Sequence, residues 1–192
     1  MSHPTQTPKT LTALLAAIDV DGPAEGAYFV APIPSPQDQA IRAALPALRE
    51  QSTGQRAALA SAWANTHKAG MLGDFALRAT IHGARTRDAG WLRDGLFAGL
   101  FVLPEPEYQD AWQYWMHLAI VRRAAGLLGL DGDGLIRAAR DDAPTAGGVK
   151  AIDTFLGWAP NERTPEARGA RELRTRRGIV WVVKGQPVPA GW

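Results

Sequence analysis

Cysteine is absent from the 192 residues. That removes disulfides, thiolate nucleophiles and Cys-ligated zinc or iron–sulfur centres together, and it fits a reducing compartment. No apolar stretch reaches the roughly 18–20 residues a helix needs to cross a bilayer, so no membrane partner is expected. Lys9 and the short apolar run Thr10–Ile18 resemble the start of a targeting signal. Asp19 and Asp21 follow at once, however, with no small-residue cleavage site, which argues against a leader. The expected location is the cytoplasm. The usual catalytic signatures are missing too: there is no GxSxG, HExxH, GxxxxGK[ST] or GxGxxG. No catalytic residue and no cofactor is therefore assigned from sequence.

What is present is the composition of a globular chain, 46% hydrophobic and 21% charged. It is long enough for one domain with a sizeable core. The net charge of +2 hides an uneven distribution. Between Arg163 and Lys184 seven basic residues face two carboxylates, a local net of +5, which leaves −3 for the rest. Residues 1–160 read as a helical bundle. Residues 161–192 read as a basic C-terminal arm carrying one short strand.

The organising stretch is Asp94–Pro104, DGLFAGLFVLP, which has no charged or hydrogen-bonding side chain between Gly95 and Pro104. It reads as the second half of a helix that starts at Asp88, is buried on all sides and is stopped by Pro104. Gly95 and Gly99 lie one turn apart. Each costs about 1 kcal/mol in a helix relative to alanine, so a neighbouring helix is expected to approach closely there. Apolar spacing places further helices at 11–18, at about 37–50 with Pro46 kinking or dividing it, and at 53–69 with Leu59, Ala62, Trp63 and Thr66 inward. Others are expected over 72–85, 107–128, 131–139 and 147–158. Ile179–Val183 has strand character, and Tyr28–Val30 is the partner expected for it.

Four groups of residues invite a chemical reading. Asp131-Gly132-Asp133-Gly134 opens like a calcium loop, but Leu135, Ile136 and Asp142 stand where a third ligand, the turn glycine and the last ligand belong. An acidic helix cap is the better reading. His67, His82 and His117 lie on different helices, and none has a second ligand at i+3 or i+4. They read as surface or hydrogen-bonded core histidines, with no metal assigned. His82–Asp94, HGARTRDAGWLRD, is the most concentrated polar stretch, and His82, Arg85 and Arg93 are its candidates for an anionic ligand. Arg122 and Arg123 interrupt an apolar helix and read as salt-bridging residues, with Asp94 or Asp110 as the expected partner.

Trp91–Phe101, WLRDGLFAGLF, and Asp110–Ala139, DAWQYWMHLAIVRRAAGLLGLDGDGLIRAA, resemble a family of uncharacterised helical proteins of bacteria, with Asp153–Arg163 (DTFLGWAPNER) matching its last element. The resemblance covers roughly Trp91 to Arg163. It implies a helical fold and brings no activity with it.

The expected fold is all-α (mainly α): a single bundle of about seven helices, with a small two-stranded β-ribbon formed by segments near both ends. The leading functional expectation is a non-catalytic helical protein–protein interaction module of accessory, regulatory or immunity type, whose partner is another protein. A second is a small enzyme or anionic-ligand-binding protein using an interhelical pocket at His82, Arg85 and Arg93. A third is nucleic-acid binding through Arg171, Arg174, Arg176, Arg177 and Trp181, combining phosphate contact with stacking. The same five residues serve a protein partner under the first reading.

Overall fold

A computed structural model describes residues 10–19, 34–64, 66–101, 111–176 and 178–187. Among them are eight helices and one β-hairpin: α1 (Leu11–Ile18), α2 (Pro36–Arg49), α3 (Thr53–Trp63), α4 (His67–Thr86), α5 (Ala89–Gly99), α6 (Ala111–Leu127), α7 (Gly132–Arg140), α8 (Ala146–Gly157), β1 (Ala170–Thr175) and β2 (Gly178–Val183). The fold is mainly α. Tyr28–Val30, Pro104, Pro106, Asp110, Arg177 and Trp192 lie outside the described residues.

The helix starts are set by side-chain oxygens that satisfy the first free amides. Ser35 and Asp38 form a reciprocal capping box before Pro36, and Ser52 with Gln55 does the same for α3. Asp88, Asp131 and Thr145 cap α5, α7 and α8. The acidic DGDG run is thus a helix start. α2 is not divided by Pro46 but runs through it to Arg49. The boundary between α3 and α4 differs from the sequence expectation. Thr66 accepts from the Lys68 amide and donates to the Trp63 carbonyl, so it ends one helix and starts the next. Gly70, read as a terminator, lies inside α4.

α4 and α5 form an antiparallel hairpin around Arg87, which takes a left-handed conformation at φ 56°. That backbone position favours glycine, and Arg87 is exposed. Arg87→Gly should therefore raise stability by about 0.5–1 kcal/mol, read as a shift in denaturant midpoint at constant slope.

α5 is the centre of the bundle, with Trp91, Leu92, Leu96, Phe97 and Ala98 all buried. It ends at Gly99, and Leu100 and Phe101 continue in tighter i→i−3 bonds. The two glycines are explained by what presses on them. A Cβ on Gly95 would stand 2.6 Å from the Ala76 carbonyl oxygen and 3.0 Å from the Thr80 amide, both α4 backbone. A Cβ on Gly99 would stand 2.8 Å from the His117 ring. Backbone moves less easily than a side-chain end, so Gly95→Ala should destabilise by about 2 kcal/mol despite its gain in helix propensity. An unchanged melting temperature would contradict the close approach.

The strand at 178–183 forms as expected, and its partner among the described residues is β1, with Ala170 opposite Val183 and Thr175 opposite Gly178. Half of β1 (ARELRT) is charged, and it carries no strand signal. The pairing anchors the C-terminal segment. Ala170, Val180 and Trp181 belong to the same buried cluster as the helices, and β2 runs beside α4. Arg85 on α4 lays its side chain against Gly178 at the hairpin turn.

Candidate functional site

His82 is half-buried and packs edge-on against Trp91 with ring centroids 5.1 Å apart. Burial, then the nearby Arg85 guanidinium, lower its pKa. Arg85 rests on the hairpin turn. Arg93 is exposed and forms no ion pair among the described residues. Of the three, the structure brings only His82 and Arg85 near one another.

The seam beside them is a structural clasp. Arg42 and Arg49 of α2 reach the two carboxylate oxygens of Asp94 at 2.8 Å each. Their guanidinium carbons sit 4.1 Å above the Trp91 ring and 4.6 Å above Phe97. Asp94 is thus taken by α2, and not by Arg122 or Arg123. Deeper in, the carboxylate of Asp38 is buried and accepts from the Arg78 fork and from the Ser35 amide and hydroxyl. This is a paired internal charge tying α2 to α4.

His117 is a buried core histidine. Its Nε2 lies 3.0 Å from the Thr80 hydroxyl, which donates to the Ala76 carbonyl. With the hydroxyl proton committed there, Nε2 is the protonated nitrogen and donates. Burial lowers the His117 pKa to about 4. The Tyr114 hydroxyl on the same helix is buried without a partner, and its pKa is raised by burial. His67 instead meets Asp19 at the surface. Among the described residues no group of three His, Asp or Glu side chains is placed to hold a metal.

The basic C-terminal segment builds the feature that sequence reasoning missed. As β1 comes to lie near α6, a cleft of about 630 Å³ opens between them, lined by Arg122, Arg123, Arg163, Glu166, Glu172 and Arg174, with Thr164 and Pro165 at its edge. The arginines come from three elements. Arg122 and Arg123 are neighbours on α6, Arg163 follows α8, and Arg174 stands on β1.

Internal carboxylates hold three of these guanidiniums in place. Asp133 accepts from Arg122 through one oxygen at 2.8 Å and from Arg163 through the other at 2.9 Å. Glu172 takes the Arg123 fork at 2.9 and 3.2 Å. That bond is the main cause of its lowered pKa. The Trp181 indole, opposite Glu172 in the strand register, makes a minor contribution without a well-formed hydrogen bond. Two donor sites remain open. Arg163 is largely buried, and its Nε has no partner. Arg174 is 77% exposed, with Glu172 no nearer than 3.9 Å.

The other arm candidates divide. Arg171 and Arg176 are exposed on the hairpin. Trp181 is fully buried in the core, so its ring is not offered for stacking, which corrects its expected role as a contact residue. The signal that marked the cleft was the Arg122-Arg123 pair in an apolar helix. Nothing local told which distant carboxylates the pair would meet. No family model, curated protein or solved structure matches the chain.

Proposed function

We propose that the protein is a non-catalytic helical interaction module of the cytoplasm, which binds an acidic partner protein on the basic face built by α6 and the hairpin. One observation carries this reading: guanidiniums from three elements line one open cleft, continuous in sequence with exposed Arg171 and Arg176. Arginine is suited to such a surface because its planar fork binds carboxylates bidentately and loses less hydration than an ammonium. The structural framework favours binding without chemistry, since the most perturbed histidine is sealed in the core and engaged with Thr80. It also favours a protein over a nucleic acid, because the aromatic ring of the basic segment is buried.

The test is capture from host lysate, after nuclease treatment, with wild type and with Arg171→Glu/Arg174→Glu/Arg176→Glu. All three positions are exposed, so the fold tolerates the changes. A stoichiometric, nuclease-resistant protein retained by wild type and lost by the triple variant is expected. Equal retention by both would contradict the reading, and loss of all captured material on nuclease treatment would transfer the face to nucleic acid.

A further inference from the structure

We infer that the cleft between α6 and β1 is a site for a phosphomonoester group, carried by the partner or by a small molecule. This rests on the reading of that face as an anion-binding surface and specifies the anion.

The argument is one of shape, donors and charge. A carboxylate is planar and offers two oxygens, which one or two guanidinium forks saturate. Within the chain Glu172 and Asp133 are satisfied in that way, each by arginines. A phosphomonoester offers three terminal oxygens in a tetrahedral array, which suits donors arriving from several sides. Arg122 and Arg123 come from α6, Arg163 from the segment after α8 and Arg174 from β1.

Each keeps N–H groups beyond those the internal carboxylates use. Arg122 is engaged through Nε, Arg123 through Nε and Nη2, and Arg163 through Nη1. The Nε of Arg163 is buried with no hydrogen-bond partner. Asp133 and Glu172 fix the guanidiniums before any ligand arrives, so little side-chain freedom is lost on binding. At the cleft four arginines stand against Glu166, Glu172 and Asp133, within a segment Arg163–Lys184 of net +5, and the positive balance favours a dianion over a single carboxylate. A volume of about 630 Å³ leaves room for more than the phosphoryl group, so the phosphate is a recognised end of something larger.

Inorganic phosphate is the first probe, titrated into the full chain and followed by calorimetry and amide chemical shifts at constant ionic strength, with acetate as the carboxylate control. Saturable phosphate binding, with shifts at residues 122–123, 163–166 and 172–174, is expected, and acetate binds at least about tenfold more weakly. Arg174→Glu, at an exposed position, should weaken phosphate by about tenfold or more without changing the melting temperature. Arg163→Met should do the same, with circular dichroism to confirm that it folds.

A second arm compares a phosphoserine peptide with glycerol phosphate. Tighter binding of the peptide assigns the group to a protein partner, and parity assigns it to a small molecule. Polyglutamate retention is measured in parallel. Polyglutamate held with phosphate ignored overturns the phosphomonoester site while leaving the acidic-partner reading intact. Failure of both overturns the two together. Phosphate binding that survives Arg174→Glu and Arg163→Met unchanged, at sites elsewhere on the chain, also overturns the inference.

Discussion

Trp181→Ala should cost about 3–5 kcal/mol of stability, the range for removing a large, fully buried aromatic side chain. The ring is completely enclosed and packs in the cluster that includes α4, α5 and α6. The residue lies in a segment whose composition is that of a solvated basic arm, where such a change would be nearly neutral. The size of the effect therefore separates a segment that is part of the fold from one that merely follows it. One further consequence belongs to the same substitution. Glu172 stands opposite Trp181 in the hairpin register and holds the Arg123 fork, so loss of the ring should loosen one wall of the cleft. Trp181→Phe keeps most of the apolar volume and should lose about 1–2 kcal/mol. Equilibrium urea unfolding of the three proteins provides the measurement, and a Trp181→Ala protein within about 0.5 kcal/mol of wild type would contradict the buried assignment.

The second large effect is an acid destabilisation centred on His117. Burial lowers its pKa in the folded protein to about 4, against about 6.5 in the unfolded chain. Between these values the unfolded state binds the proton and the folded state does not, so stability falls as the pH falls. The contribution is fully present above about pH 6.5 and is lost progressively down to about pH 4, at a slope near 1.4 kcal/mol per pH unit and a total of about 3 kcal/mol. The structural cause is burial of the ring, which packs so closely on Gly99 that a Cβ there would stand 2.8 Å from it. The Nε2 proton is already committed to Thr80, and burial of the charged ring outweighs the hydrogen bond to the Ala76 backbone that favours it. His82 shifts in the same direction, so the two must be separated. His117→Gln should flatten the dependence between pH 6.5 and 4, whatever it does to stability at pH 7. An unchanged slope in that variant would assign the acid sensitivity elsewhere.

Much of this architecture is legible along the chain because it is decided locally. Asp88, Asp131 and the Ser35–Asp38 pair announce helix starts by themselves, since a side-chain oxygen two or three residues from a free amide needs no distant help. Gly95 and Gly99 likewise advertise their role: glycine in the middle of an apolar helix is costly unless something presses against it. The boundary at Thr66 was misread because a good capping residue and a good terminator, Gly70, lie four residues apart, and only tertiary packing chooses between them.

The site was less legible because it is assembled from non-local pairs. Arg122 and Arg123 were recognisable as arginines in need of carboxylates. The carboxylates turned out to be Asp133 on α7 and Glu172 on β1, whose positions depend on how two later elements fold back. β1 itself has a charged sequence and becomes a strand only because β2 pairs with it. The places of His82, Arg85 and Arg93 are likewise decided by tertiary packing. Closeness in sequence suggested a cluster, yet the antiparallel turn at Arg87 leaves Arg93 exposed and Arg85 leaning on the hairpin.

The central claim is that the described residues after Pro160 are a structural wall of the bundle, so that the arginine cleft is a fixed site. Native-state hydrogen exchange on the β2 amides that are hydrogen-bonded to β1 tests this most directly. The account predicts opening free energies close to those of buried α4 and α5 amides, with the same steep denaturant dependence, because Val180, Trp181 and Val182 are freed only when the core is. Exchange of the β2 amides through small local openings, with α4 and α5 still protected, would contradict it and return the segment to the status of a flexible arm.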